Sequence, residues 1–371
     1  MGRVLLYFRS DRAPMLLGAV ALLAPSRRVC HCMGAPPATT ATDHHSWVAA
    51  AAATARAVRG YTIEVTPAAA RRIGSFAPQP QLLRAGARVN VTNLAGADMA
   101  ECTSTCARLA AAGMRPVAHV PARAFRSLGE LDAFLGGLRA AGVAEVLVLG
   151  GDAERPGCAE LPEALAVLRS GLLQKHGLLA HGVGVAAHPE GHPSIAEGAL
   201  AEALLRKAAW AQAEGVELYF ETQFCFEAAP VIAWERRTRA ALREALGERA
   251  RLPRVRLGVA GPAKVSSLVR FAAFAGVGSS LRFISRYGGN VLKLATTAAP
   301  DALVAGVAAH MEKERGDCLI DGFHFFPLGG FHATLRWANA VADGAFAMHD
   351  GGGGFDVLPE RAAAGSRAAA A

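Results

Sequence analysis

Short apolar runs alternate with longer Ala/Leu-rich stretches through the middle of the chain. The runs are Tyr61–Thr66, Ala87–Thr92, Arg115–Val120, Ala144–Leu149, Gly182–Ala187, Val216–Thr222, Val255–Ala260 and Cys318–Phe326. Their β-branched and aromatic content reads as strand. The run Val146–Leu149 is apolar at every position, the pattern of a strand covered on both faces. The gaps hold helical stretches such as Asp98–Ala112, Ser127–Ala141, Ile195–Ala213 and Ala229–Leu246. Gly113, Gly142 and Gly215 stand at or near the C-terminal ends of three of these, where a left-handed cap needs no Cβ. Eight βα units over about 280 residues predict an α/β fold, a (βα)8 TIM barrel. A doubly wound open sheet is the alternative, but no strand leads into GxGxxG and no P-loop is present.

The ends read differently. Arg3, Arg9 and Arg12 precede the apolar run Met15–Ala24, and Arg27 and Arg28 follow it. That run is too short for a spanning helix and fits a signal-peptide core, while its Arg-rich, acid-poor setting fits a transit peptide. Residues 1–33 are therefore expected to be a targeting segment for mitochondrion or plastid. The alternative is a disordered extension on a cytoplasmic protein. Residues 34–60 read as a linker with room for a helical turn near its Ala run, 61–345 as the catalytic barrel and 346–371 as a disordered tail.

The 371 residues are 52% hydrophobic and 19% charged, which excludes a disordered chain. The net charge of +8 suggests an anionic partner at first. Residues 1–60 carry seven Arg against two Asp, however, leaving +3 for the remaining 311 residues. Only five basic residues are Lys, so the Arg bias reads as codon composition, and neither a nucleic-acid nor a membrane partner is expected. The seven Cys are scattered without CxxC, as expected of a reduced compartment. Cys102 and Cys106, four apart on a helix, read as buried small residues rather than a metal pair.

Barrel chemistry gathers at the carboxyl ends of the strands. The polar residues there are Glu64, Thr92, His119, Asp152, His188 and Gln223, with His324 in the eighth strand. Alternation puts Glu64 on one face with Thr62 and Thr66, opposite Ile63 and Val65. A carboxyl turned into a barrel is raised in pKa by desolvation and becomes a proton donor near neutral pH, unless an Arg pairs with it. Asp152, after two glycines, either tunes a cofactor or caps a helix. His188, Glu190 and His192 resemble a metal cluster, but Pro189 and Pro193 oppose a helix and no third ligand is evident, so no metal is expected. The primary amide of Gln223 suits the edge of a heterocycle, and Phe224 and Phe226 beside it read as packing.

Together the segments YTIEVTP (61–67), VNVTN (89–93), AHVPAR (118–123), LVLGGD (147–152), VAAHPEGHP (185–193), LLRK (204–207), ETQFCFE (221–227), GVAGPAK (258–264) and FHFFPLGG (323–330) resemble the catalytic barrel of the methylenetetrahydrofolate reductase family, in family order, in a divergent bacterial-type branch. The resemblance implies an FAD-dependent enzyme of folate one-carbon metabolism. It would reduce 5,10-methylenetetrahydrofolate to 5-methyltetrahydrofolate, with NADH or NADPH as donor. Glu64 stands where the family has its general acid, Asp152 where a carboxylate lies near the flavin and the developing cation, and Gln223 where an amide binds folate. Thr92, His119, His188, His192 and Lys207 stand at FAD-contacting positions, as does Asp152.

The chain also departs from the family pattern. Gly150 replaces an FAD-binding Arg, and His188 stands where a Tyr is common. The loop AGPAKVSS lacks the aromatic expected to stack on the pterin, and PLGG replaces an ending in Asn-Arg. The span between Lys207 and Gln223 is long for the family, and no C-terminal effector module is expected. A non-redox folate-binding barrel, or a partner subunit of a methyltransferase system, is the alternative function. A metal-dependent barrel hydrolase using His188 and His192 is a third. A homo-oligomer is left open.

Overall fold

A computed structural model of the protein describes residues 41–79, 82–93, 98–151, 157–275 and 296–359. Eight parallel strands close into a barrel: β1 Thr62–Val65, β2 Arg88–Val91, β3 Arg115–Pro121, β4 Glu145–Leu149, β5 Val183–Ala187, β6 Leu218–Thr222, β7 Arg254–Ala260 and β8 Ile320–Phe326. Each strand pairs with its neighbours in chain order, and β8 returns to β1 through Thr62 opposite His324 and Ile63 opposite Phe325. Every strand is followed by at least one helix, so the fold is the (βα)8 TIM barrel read from the sequence pattern. All eight strands lie within two residues of the ends expected. Helices 99–111, 128–140, 197–214 and 228–246 match as closely.

Two forces shape these elements. Alternation sends Ile63, Val65, Val89, Val91, Phe220, Phe323 and Phe325 outward into one large apolar core beneath the helices. Helices 99–111 and 128–140 start on side-chain caps: Asp98 accepts from the Ala100 N–H and Ser127 from the Glu130 N–H. The helix 197–214 stops at Gly215, whose φ of 66° closes the end.

The structure corrects both borders of the barrel. The segment expected to be a linker contains an 18-residue helix, Ala41–Val58, which packs on the barrel. Ala53, Thr54, Ala55, Ala57 and Val58 are buried, Arg56 pairs with Glu312 at 2.8 Å, and Arg59 Nε donates to the Ala342 carbonyl at 3.2 Å. Its alanines read as low complexity in the sequence, but in the fold they let a helix approach closely. The expected disordered tail likewise begins with an antiparallel hairpin, Phe346–Met348 paired with Phe355–Val357. The ring of Phe355 stacks on Trp337 at 5.7 Å and lies 4.6 Å from that of Phe346. Gly351 and Gly352, both at positive φ, turn the chain between the two strands. Residues 1–33 and the end of the chain from 360 lie outside the described residues. No described helix is long and apolar enough to cross a membrane.

Candidate active site

The inward faces of the strands carry an unusually polar column. At its base Glu145 on β4 holds two guanidinium groups, Arg88 of β2 at 2.8 Å and Arg256 of β7 at 3.2 Å. Arg256 also lies over the Tyr219 ring at 3.7 Å from its centroid. The neighbouring fill is apolar, from Val117, Leu147 and Tyr219. Gly184 is required there. A Cβ on it would stand 2.5 Å from Tyr219 Cζ and 2.6 Å from Leu147 Cδ1.

Above this base, Asn90 Nδ2 donates to Glu221 Oε1 at 2.5 Å. His324 Nδ1 lies 2.8 Å from Thr62 Oγ1 and 3.5 Å from Glu221 Oε2. His324 Nε2 lies 3.8 Å from Glu64 Oε2. Burial holds His324 neutral by pushing its pKa below the usual histidine range. Burial raises Glu221, with the nearby Glu64 carboxyl adding to the rise and His324 and Arg256 opposing it.

Glu64 occupies the inward face, as alternation required, with its side chain 14% exposed. Desolvation pushes its pKa up to about 8, so it carries a proton at neutral pH. No guanidinium pairs with it in the described structure. His119, on β3, is pushed down to about 3 by burial and by neighbouring His324. Among the described residues, buried atoms without a hydrogen-bond partner collect here: His119 Nε2, His324 Nε2, Glu221 Oε2, Asn90 Oδ1, Thr92 Oγ1 and Asn93 Nδ2. Buried polar atoms are rarely left unpaired except where a ligand or water completes them.

Gln223 follows β6, its N–H bound to the Ala187 carbonyl at 2.9 Å. Its side-chain Oε1 accepts from the Phe224 N–H at 3.0 Å, so one edge of the amide is committed locally. Gly258 permits the close passage of this segment. A Cβ there would lie 2.7 Å from the Gln223 carbonyl oxygen, and the Gly258 N–H donates to Thr222 Oγ1 at 2.8 Å. Phe224 packs edge-on against Phe226 at 5.6 Å and Phe326 at 5.3 Å, and Phe326 meets the His324 ring at 4.9 Å. An aromatic wall thus rises from the ends of β6 and β8.

A second group lies at the end of β5. The His188 and His192 rings meet edge to face at 5.1 Å. Burial pushes His188 down to about 4, with His192 and Lys207 contributing. Burial also lowers Lys207. His192 Nδ1 accepts from the Ser194 N–H at 3.1 Å, and Arg123 lowers its pKa after burial does. Glu190 accepts from the Phe226 N–H at 3.1 Å. Among the described residues, three ligand-type side chains converge instead at Glu235, His310 and Cys318, outside the barrel. There Glu235 is occupied by the Leu319 N–H at 3.0 Å, Arg239 at 3.3 Å and His310 at 3.0 Å.

Asp152 lies outside the described residues. Glu221, Asn90 and the Arg88–Glu145–Arg256 triad were not singled out from the sequence. Their signal was present, since Asn90 shares its face with Thr92 and Glu221 shares its face with Gln223.

No protein-family model matches the chain. Among solved structures it is similar to tryptophan synthase from M. tuberculosis in its aminoacrylate-bound form, at 14% identity over 70% of this chain and 94% of that one, with a TM-score of 0.32. It is similar to triosephosphate isomerase from Bartonella henselae at 13% identity over 60% and 94%, with a TM-score of 0.35. An intracellular xylanase of Thermoanaerobacterium saccharolyticum matches at 11% identity over 72% and 85%, with a TM-score of 0.32. The barrel assignment rests on the strand pairing of this chain.

Proposed function

We propose that the chain is a flavin-dependent oxidoreductase that reduces 5,10-methylenetetrahydrofolate to 5-methyltetrahydrofolate, with FAD as cofactor and NADH or NADPH as donor. The observation that carries this reading is Glu64, a carboxylic acid held protonated at neutral pH in the mouth of the barrel. It stands where the resembled family keeps its acid. Protonating the pterin amine would open the bridging ring to an iminium, and Glu64 holds the proton to do so. A carboxylate nearby stabilises the cation as it develops, and Asp152 is proposed for that role from its sequence position.

The described residues fit a flavin. Thr92 Oγ1 and His119 Nε2, buried and unpaired on neighbouring strands, suit the donor and acceptor edge of a heterocycle. His188, His192 and Lys207 supply a polar, partly cationic group for the remainder of FAD. The cofactor, when bound, supplies hydride transfer from the nicotinamide to the folate. Gln223 is proposed for the folate, with the aromatic wall of Phe224, Phe226 and Phe326 supplying the apolar face that the loop AGPAKVSS does not offer.

A second reading, a folate-binding barrel without redox chemistry, draws on Gly150, which replaces a cofactor-binding Arg. The test is reconstitution with FAD, followed by anaerobic reduction with NADH and NADPH. Uptake of flavin and folate-dependent reoxidation support the enzyme. Folate binding by a protein that takes up no flavin supports the second reading. The folate is the proposed small-molecule partner, with neither nucleic acid nor membrane proposed.

A further inference from the structure

We propose that His324 and Glu221 return a proton to Glu64 from beneath the barrel mouth, a role that rests on reading Glu64 as the acid. His324 is completely buried and its ring stands between two carboxyl groups, with Nε2 3.8 Å from Glu64 and Nδ1 3.5 Å from Glu221. Both gaps are about one ångström beyond a hydrogen bond, a distance that side-chain torsions close. His324 Nε2 and Glu221 Oε2, the atoms that face these two gaps, are both buried without a hydrogen-bond partner among the described residues.

The need for such a path follows from the site. On that reading Glu64 gives up a proton in every turnover, and a substrate and cofactor bound over the mouth would exclude water from above. The proton balance closes as follows. The Nε2–H bond of His324 breaks as the Glu64 O–H bond forms, and the Glu221 O–H bond breaks as the Nδ1–H bond forms. The imidazole is left in its other tautomer and Glu221 as a carboxylate. One solvent proton restores both once the mouth opens, adding to Nε2 as the Nδ1 proton returns to Glu221.

Polar groups line both ends of this path. Thr62 Oγ1, 2.8 Å from Nδ1, can donate or accept as the tautomer changes. Asn90 fixes the other oxygen of Glu221. Arg256 acts on Glu221 from the base of the column and stabilises the carboxylate left behind, although Glu145 partly neutralises it. Tyr219 shares the inward face of β6, and His119, which stays neutral, faces His324 from β3. His324 and Glu221 are thus positioning residues that act through Glu64.

The test compares Glu64→Gln, His324→Gln and Glu221→Gln in the flavin-loaded protein, by stopped-flow measurement of first and later turnovers in H2O and D2O. Glu64 enters the first turnover already protonated. His324→Gln and Glu221→Gln should therefore keep the first turnover and lose about tenfold or more in the steady state, with an enlarged solvent isotope effect. Glu64→Gln should lose both phases. Unchanged steady-state rates in the His324 and Glu221 variants overturn the proposal, as does loss of their first turnover to the level of Glu64→Gln. A second arm needs no activity: infrared titration of the protonated carboxyl bands in the ligand-free protein. Glu64→Gln should remove one band and lower the midpoint of the Glu221 band, because a neighbouring carboxylate no longer opposes its ionisation. An unmoved midpoint overturns the coupling. Coupled bands in a wild-type protein that reduces no folate leave the pair intact and sink the functional reading instead.

Discussion

Replacing Glu64 by Gln should stabilise the protein at neutral pH, because the barrel holds a proton that the unfolded chain would release. The folded pKa is about 8 against an ordinary 4.5. Below 4.5 both states are protonated and burial of the carboxyl has no pH-dependent penalty. As pH rises the unfolded state ionises first, so stability falls until the folded state also ionises near 8. At about 1.4 kcal/mol per pH unit, the penalty reaches about 3 kcal/mol at pH 7 and about 5 kcal/mol above pH 8. Gln has nearly the same shape and does not ionise. The difference in unfolding free energy between Glu64→Gln and wild type should therefore be near zero at pH 4.5 and grow to about 3 kcal/mol in favour of the variant at pH 7. Guanidinium denaturation across this range measures it, and the other buried groups, common to both proteins, largely cancel. A difference that stays flat with pH, or a variant less stable at pH 7, would refute a protonated Glu64.

Three further outcomes follow from the same interior. Glu145→Gln leaves Arg88 and Arg256 buried without their carboxylate and should cost about 3–5 kcal/mol by chemical denaturation, a loss below about 1 kcal/mol contradicting the triad. Phe355→Ala should cost about 3–5 kcal/mol in the same assay, since Phe355 is buried against Trp337 and Phe346; a neutral effect would return the hairpin to a tail. His119 and His188 refuse protons until about 3 and 4, while unfolded histidine takes them up below about 6.5. Stability should accordingly fall as pH drops from about 6.5 toward these values, and His119→Asn should flatten the acid limb of unfolding; an unchanged limb would mean that His119 is charged in the fold.

The barrel was legible because its outer faces obey one rule. Strands covered by helices need unbroken apolar runs, and the positions of Glu64, Thr92, His119, His188 and Gln223 follow once the strands are placed. The core of the polar column was not legible. Arg88, Glu145 and Arg256 each look like solvent-facing residues at strand ends, and only closure of the sheet turns them toward one another. His324 and the face of Glu221 could be read from the strands, but their approach to each other and to Glu64 was hidden by the same effect, since they lie on β6, β8 and β1, far apart in sequence. The full length of the helix Ala41–Val58, beyond a turn near its Ala run, and the hairpin at 346–357 were missed because Ala-rich and Gly-rich composition imitates disorder. In the fold these small residues permit close packing and a tight turn.

The most direct test is the absorbance of the bound flavin, first reduced anaerobically and then mixed with methylenetetrahydrofolate, in wild type and in Glu64→Gln. Both proteins should bind flavin and accept electrons from a nicotinamide, and only the wild type should be reoxidised by the folate. A Glu64→Gln protein reoxidised as fast as wild type, or a wild type that takes up no flavin, would contradict it.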